Sequence, residues 1–568
     1  MAPFVHDDLR ALDLHAPLAQ ALSECLEAVV IPGGDVVFRQ GEPADALYFV
    51  VSGTIGISYR EAGGDERRLA RVQPPDTVGE MAILSDAPRS ATATALRDSR
   101  LLRLSRRDFE ALTAEHPATM LYFARLLSDR LRVADAAPHL PHAPRAIAVV
   151  PITPGADAVG VAHELAATVD GRACVVAERP ADADEGWFHR VEADAACVFY
   201  ASPAPAGDWA AQCLRHADHV LLVARAGEAP LPMPNGLVAN GGWRRCDLVV
   251  THEATATIAR GVLSGTDAPA VELRLHLRRG HCADAARVAR TVRGCASALV
   301  LSGGGARGFA HVGVVRALRE AGRTFDLVGG TSFGAAVAAG LALGWCDAEL
   351  EHVLVQSFVR MNPLNDYTLP LVALTRGRKI EKLLDRFFGT VHIEELWLPF
   401  FCVSSNLTTG RTHVHRVGPV ARALRASVAI PGLVPPVLAP DGVLVDGAMM
   451  NNLPVDEMAA YGRGRVIAVD VANDAAFSGQ GRRRGWRARA LRALLGIDAN
   501  APDIAQVLIR AATVASHAQA VEARQRATIV IRPPLAEIDL RAWTEYGSAS
   551  RIGYEHTRRL LARHEAGL

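Results

Sequence analysis

Between residues 34 and 104 apolar side chains come in short alternating sets: Val36 and Phe38, then Leu47, Phe49 and Val51, then Ile55, Ile57 and Tyr59, with glycines at 33–34, 41, 53 and 63–64 between them. A period of two punctuated by glycine predicts a small antiparallel β-roll. Over residues 108–133 the spacing becomes helical, through Phe109, Leu112, Leu121, Leu126, Leu127 and Leu131, and the proline-rich residues 136–144 read as a linker. Apolar runs at 146–151, 173–177, 197–200, 219–224 and 246–251 follow, separated by helical stretches such as 160–168, which predicts an α/β layer. A second α/β unit begins near Ala298. The expected architecture is multidomain: an antiparallel roll with helices over residues 1–135, an intermediate α/β domain over 145–290, and a C-terminal α/β domain with an extension over 296–568.

Composition adds limits. At 568 residues, half of them hydrophobic and 21% charged, the chain is an ordinary globular protein too long for a single core. Lys+Arg and Asp+Glu balance at 61 each, so no overall field favours nucleic acid. The nine cysteines are scattered without Cys-x-x-Cys spacing, which argues against a zinc site or a disulfide framework and for a reducing cytosol. No basic and apolar leader is visible at the N-terminus, and the longest apolar run, residues 335–345, is short of the roughly 20 that a spanning helix needs. A cytoplasmic protein that meets any membrane from the water side is the expectation.

The chemistry gathers in the last unit. Residues 326–334 run from a short apolar strand into Gly330-Thr331-Ser332-Phe333-Gly334, a Gly-x-Ser-x-Gly pattern followed by a helical stretch. A serine on a sharp strand-to-helix turn holds its hydroxyl forward, and flanking glycines keep the approach open. As a pentapeptide alone the same residues also read as a glycine turn with an N-cap serine. Thirty residues upstream another strand leads into Gly303-Gly304-Gly305-Ala306-Arg307-Gly308 and a helix. Consecutive glycines can turn N–H groups towards an oxyanion, with Arg307 beside them. The loop also fits Gly-x-Gly-x-x-Gly, but a dinucleotide fold needs an acid at the end of the next strand, and that strand ends in Thr331 and Ser332. Nicotinamide and flavin binding are therefore discounted.

A base must come from elsewhere. Asp446 closes the apolar run 443–445 and is the candidate, while Asp441-Gly442 better suits a hairpin turn. A free carboxylate is a weak base near neutrality, and a partly dry pocket with direct contact to the serine would raise its proton affinity. His311, His352, His413 and His415 are available for a three-member arrangement, though none has a setting that marks it, and His311 suits packing or hydrogen bonding.

Taken together, the glycine loop, the elbow, residues 425–432 (Arg-Ala-Ser-Val-Ala-Ile-Pro-Gly) and Asp446-Gly447 resemble, in order, the motifs of the patatin-like phospholipases. The resemblance implies a Ser332–Asp446 dyad, an oxyanion hole at Gly303, Gly304, Gly305 and Arg307, and an acyl-enzyme hydrolysed without metal or other catalytic cofactor. The N-terminal roll is similar to cyclic nucleotide-binding domains, with a phosphate cassette at residues 79–84 and 88–92. That resemblance implies that Gly79, Glu80, Arg89 and Ser90 hold cyclic AMP or cyclic GMP as a regulatory ligand. A roll of this kind ahead of a patatin unit resembles the neuropathy target esterase branch, as does residues 273–277, and implies a phospholipid or lysophospholipid substrate.

Six arginines lie within residues 481–496, with Trp486 and three leucines among them and no acid. Such a segment suits peripheral contact with anionic lipid at the inner face of the membrane, or equally a solvated surface helix. The alternative function is a cyclic-nucleotide sensor or partner-binding protein with a latent hydrolase domain. A protease or general carboxylesterase shares the nucleophile chemistry and is set aside by the resemblance alone.

Overall fold

The computed structural model describes residues 25–61, 66–116, 144–184, 186–232, 244–261, 271–369, 371–472 and 518–565, with isolated helical positions at Leu22, Met120, Phe123, Ser128 and Ser516. The arginine-rich residues 481–496 and most of the 136–144 linker lie outside the described residues. The chain divides into two compact units, residues 1–254 with 263–293, and residues 255–262 with 294–568.

In the first unit the roll consists of two four-stranded antiparallel sheets. One runs in the order Leu26–Ile31, Ser99–Ser105, Ala46–Ser52, Thr77–Val78, and the other Val36–Phe38, Thr92–Ala95, Ile55–Arg60, Glu66–Val72. The strand Ala46–Ser52 shows why its alternation was only half the signal. Leu47, Phe49 and Val51 pack with Leu102, Leu104 and Phe109, while Ala46, Tyr48 and Val50 enter a second cluster with Ile55 and Leu101. Both faces of this strand are buried.

The same unit holds a six-stranded parallel sheet in the order Ala173–Val176, Cys197–Ala201, Ala146–Pro151, His219–Arg225, Arg245–His252, Leu273–Arg278. Helices cover its faces, which accounts for the unbroken apolar runs seen in the sequence. The sixth strand and the helix Cys282–Val292 extend the layer beyond those runs.

The second unit is a mixed sheet. Strands Phe400–Asn406, Leu327–Thr331, Ala296–Leu301, Gly464–Val469 and Ile529–Ile531 are mutually parallel neighbours in that order. Antiparallel to Phe400–Asn406 run Arg411–His415 and Gly442–Asp446, which pairs in turn with Val437–Ala439 across a turn at Pro440-Asp441, one residue earlier than the expected Asp441-Gly442 turn because Gly442 already pairs with Ala439. Register brings the site together: Thr331 is level with Val403, and the next residue of that strand, Ser404, faces Asp446. The helix Phe309–Glu320 is crossed closely by Tyr546–Glu565. A Cβ at Gly313 would sit 1.8 Å from the Ser550 carbonyl oxygen, and one at Gly553 would sit 2.2 Å from that of Ala310. Only glycine permits such an approach.

Candidate active site

Ser332 follows the strand Leu327–Thr331 and caps the helix Phe333–Leu343 with φ 53° and ψ −121°, a conformation that a residue with a Cβ adopts only under constraint. The constraint comes from its neighbours. A Cβ at Gly330 would meet the Leu301 carbonyl oxygen at 2.6 Å, and one at Gly334 would meet it at 2.4 Å. Both glycines of the pattern are therefore required by the packing of the elbow against strand Ala296–Leu301.

From that turn the Ser332 hydroxyl donates to Asp446 Oδ2 at 2.8 Å. Asp446 is 4% exposed, and its other oxygen accepts the Ala448 N–H at 2.9 Å. Burial raises its pKa to about 6, an effect that the Ala448 N–H and the Ser332 hydroxyl oppose. Among the described residues these are its two side-chain partners. The histidines lie elsewhere: His311 bonds the Ser302 carbonyl at 2.8 Å and is pushed down to about 4 by burial, His413 bonds Asp441, and His415 bonds Ser404. His352 is exposed.

The glycine loop lies against the serine, since a Cβ on Gly303 would come within 3.2 Å of Ser332 Cβ. The Gly303 N–H bonds the Asn452 carbonyl at 3.3 Å, whereas the N–H groups of Gly304 and Gly305 have no partner among the described residues. Gly305 has φ 54°, and a Cβ there would lie 2.5 Å from the Leu540 carbonyl oxygen. Arg307 donates through Nε to the Ile538 carbonyl at 2.6 Å and through its backbone to Gly304 at 3.2 Å. These bonds commit two of its donors to holding the loop, and burial lowers its pKa.

Two polar residues escaped the sequence reading as individual contributors. Ser427 Oγ accepts the Ser332 N–H at 2.9 Å, and the Asn452 side chain donates to the Gly303 carbonyl at 3.3 Å. Ser427 lay within the recognised stretch 425–432, so its motif was visible but not its target. Asn452, six residues past Asp446, carried no signal of its own.

In the roll, Gly79 has φ 86° and caps the short helix Glu80–Leu84. Arg89 is brought to it, donating to the Gly79 carbonyl at 3.1 Å, to Ala46 at 2.6 Å and to the Asp45 carboxylate at 3.1 Å, with its guanidinium 4.1 Å over Phe38. Glu80 is buried and accepts from Thr77 Oγ1 at 3.3 Å, whereas Ser90 is exposed. Among the described residues no group of three or more His, Cys, Asp or Glu could hold a metal ion, and no helix is long and apolar enough to cross a membrane.

Comparison with known proteins places two families on the chain. Residues 299–459 match the patatin-like phospholipase model and residues 28–116 the cyclic nucleotide-binding domain model. Among solved structures the Thermus thermophilus catabolite activator protein is 37% identical, covering 22% of this chain and 60% of that one, with a TM-score of 0.21. A lysophospholipase NTE1 of Mycosarcoma maydis is 29% identical across 82% of this chain and 30% of its own length. An NTE family protein of Mycobacterium tuberculosis is 30% identical over 565 residues, 95% of this chain and 93% of the relative. Similarity at that level over nearly the whole of both chains shows that the protein belongs to the NTE family, a phospholipase-type carboxylic ester hydrolase with a cyclic nucleotide-binding domain ahead of its patatin-like one.

Proposed function

We propose that the chain hydrolyses acyl esters of phospholipids or lysophospholipids through a dyad of Ser332 and Asp446. The observation that carries this reading is the 2.8 Å hydrogen bond between them at a strained turn, beside the Gly304 and Gly305 N–H groups, which have no partner among the described residues. Ser332 Oγ attacks the ester carbonyl as its proton passes to Asp446, whose raised pKa suits it to accept that proton near neutral pH. The oxyanion forms against the glycine loop, where preorganised N–H groups stabilise it. Asp446 then protonates the leaving alcohol, and water activated by the same carboxylate cleaves the acyl-enzyme. Gly303 and Arg307 hold the loop in shape for this step.

The proposed division of labour follows the three segments 1–135, 145–290 and 296–568, with the roll regulating the hydrolase through cyclic AMP or cyclic GMP held by Gly79, Glu80, Arg89 and Ser90. A cyclic phosphate reaching Arg89 would compete with Asp45 for its guanidinium. We place the protein at a membrane surface in the cytoplasm, a compartment that suits its nine free thiols.

The test is a lipid panel assayed with wild type and Ser332→Ala, with and without each cyclic nucleotide. Release of fatty acid by wild type alone is the expected result. An equal yield from both proteins removes the dyad assignment, and indifference to both nucleotides removes the regulatory one.

A further inference from the structure

The hydrolase unit carries an apolar projection that the dyad does not use. Residues 366–369 and 371–376 are the two arms of a small hairpin closed by a bridge between Tyr367 and Thr375, with the Arg376 N–H on the Asp366 carbonyl at 2.9 Å. Tyr367, Leu369, Leu371 and Val372 are 70, 79, 91 and 69% exposed. Singly exposed apolar side chains are ordinary, but four large ones within six positions are a patch with a purpose.

The hairpin is firmly held at its base. The Leu374 N–H bonds the Gly432 carbonyl at 2.9 Å, and Thr375 bonds that of Leu433 through its N–H at 3.0 Å and its hydroxyl at 2.7 Å. These acceptors lie a few residues beyond Ser427, which holds the Ser332 N–H, and beyond Ala429, whose carbonyl accepts the Asp446 N–H at 2.9 Å. The projection is thus anchored on the same 427–433 segment that holds the backbones of Ser332 and Asp446.

Cations flank it. Residues 366–388 contain five basic and three acidic side chains, and Arg376, Arg378 and Lys382 are exposed. Of the acids, Glu381 is drawn to Arg425 at 3.4 Å, and Asp366 accepts the Lys379 N–H at 3.4 Å. An apolar tip above a basic base complements a bilayer interface, where acyl chains lie beneath anionic headgroups. A protein partner fits less well, because a stable interface needs about 800 Å² on each side and four side chains on a hairpin present far less.

We infer that these two arms dock the protein on anionic bilayers: Leu369, Leu371 and Val372 enter the boundary between headgroups and acyl chains, and Arg376, Arg378 and Lys382 meet headgroup phosphates. The inference rests on the lipid-ester reading of the neighbouring dyad. Its test uses the full chain, sedimented with vesicles of equal parts phosphatidylglycerol and phosphatidylcholine, and assayed on those vesicles and on a soluble p-nitrophenyl ester.

In Leu369→Gln/Leu371→Gln, sedimentation and vesicle hydrolysis fall about tenfold or more, while turnover of the soluble ester stays within about twofold. In Arg376→Glu/Arg378→Glu, vesicle binding weakens roughly fivefold or more at low salt, and the difference shrinks as salt is raised. Unchanged sedimentation of both variants overturns the inference. So does gel filtration in which wild type is a dimer that the leucine variant dissociates, since the occupant is then a second copy. Failure of the hydrolase reading looks different: wild type sediments with vesicles, upholding the docking role, yet cleaves neither ester.

Discussion

Ser427 stands between the backbone of Ser332 and the central sheet: its hydroxyl accepts the Ser332 N–H at 2.9 Å and donates to the Val403 carbonyl at 2.7 Å. Val403 is the register partner of Thr331, so a single buried hydroxyl ties the strained turn to the strand beside it. A backbone held at φ 53° costs on the order of 1–3 kcal/mol, and it persists only where bonds of this kind over-determine it.

Ser427→Ala leaves the Ser332 N–H and the Val403 carbonyl without that partner. A loss of about 1–3 kcal/mol in unfolding free energy is expected from the orphaned groups. Turnover should fall roughly tenfold or more, with little change in KM, because the hydroxyl positions Ser332, the proposed nucleophile, and does not bind substrate. Thermal melting and steady-state kinetics on a soluble ester measure the two effects. Full turnover in the alanine variant would show that the turn is held by the glycine packing alone.

The raised pKa of Asp446 makes a two-part prediction. In its proposed role as base it must be ionised, so kcat/KM should rise with pH through about 6 and then level. Stability runs the other way. A carboxyl whose folded pKa lies above its unfolded value stabilises the fold fully below the unfolded value, and that contribution disappears as pH rises through about 6. Asp446→Asn should therefore abolish ester turnover while leaving the protein as stable as wild type, or more so, at neutral pH. Urea unfolding of both proteins at pH 5 and pH 7.5 checks the sign: a wild-type advantage that grows with pH would contradict it.

What the sequence revealed, and what it hid, follows from how local each signal is. The elbow and the glycine loop were legible because tight backbone turns impose glycine locally, and Gly330, Gly334 and Gly305 have a carbonyl oxygen within 2.6 Å of where a Cβ would stand. Asp446 was legible as the end of an apolar strand, but its antiparallel pairing with Ser404 was not, because register is a non-local property. The same reason hid Asn452, which serves a glycine 149 positions earlier. Arg307 stands out in the sequence as a charge beside a glycine loop, and only the fold reveals the Ile538 carbonyl that takes up its Nε.

Gly305→Ala tests how strictly the loop must keep its shape. The added methyl meets the Leu540 carbonyl oxygen at 2.5 Å in a left-handed backbone region, so the loop has to move. The Gly304 and Gly305 N–H groups would lose their alignment, and removing one oxyanion donor typically costs 10²–10³ in kcat. A fall of about that size is expected, with melting lowered by a few degrees. Unchanged kcat would mean that the oxyanion is held elsewhere.

A last prediction concerns the first unit, where the roll and the parallel sheet share a buried ion cluster. Arg97, 4% exposed in its side chain, reaches Glu192 at 2.8 Å and Asp218 at 2.8 Å, and Asp218 also accepts the Thr54 hydroxyl and the Ala146 N–H. Replacing the arginine strands two carboxylates away from water, so Arg97→Met should cost roughly 3–5 kcal/mol, far more than loss of a surface pair. Burial already raises the pKa of Glu192 even with the arginine present. Without that cation its proton affinity rises further, so the variant should recover part of the lost stability as pH falls from 7 towards 5. Urea unfolding across that range provides the measurement, and Arg97→Met/Glu192→Gln should be less damaged at pH 7 than the single variant. A deficit that stays flat with pH, and a second substitution that adds to the first instead of relieving it, would mean that lost packing and not stranded charge sets the cost.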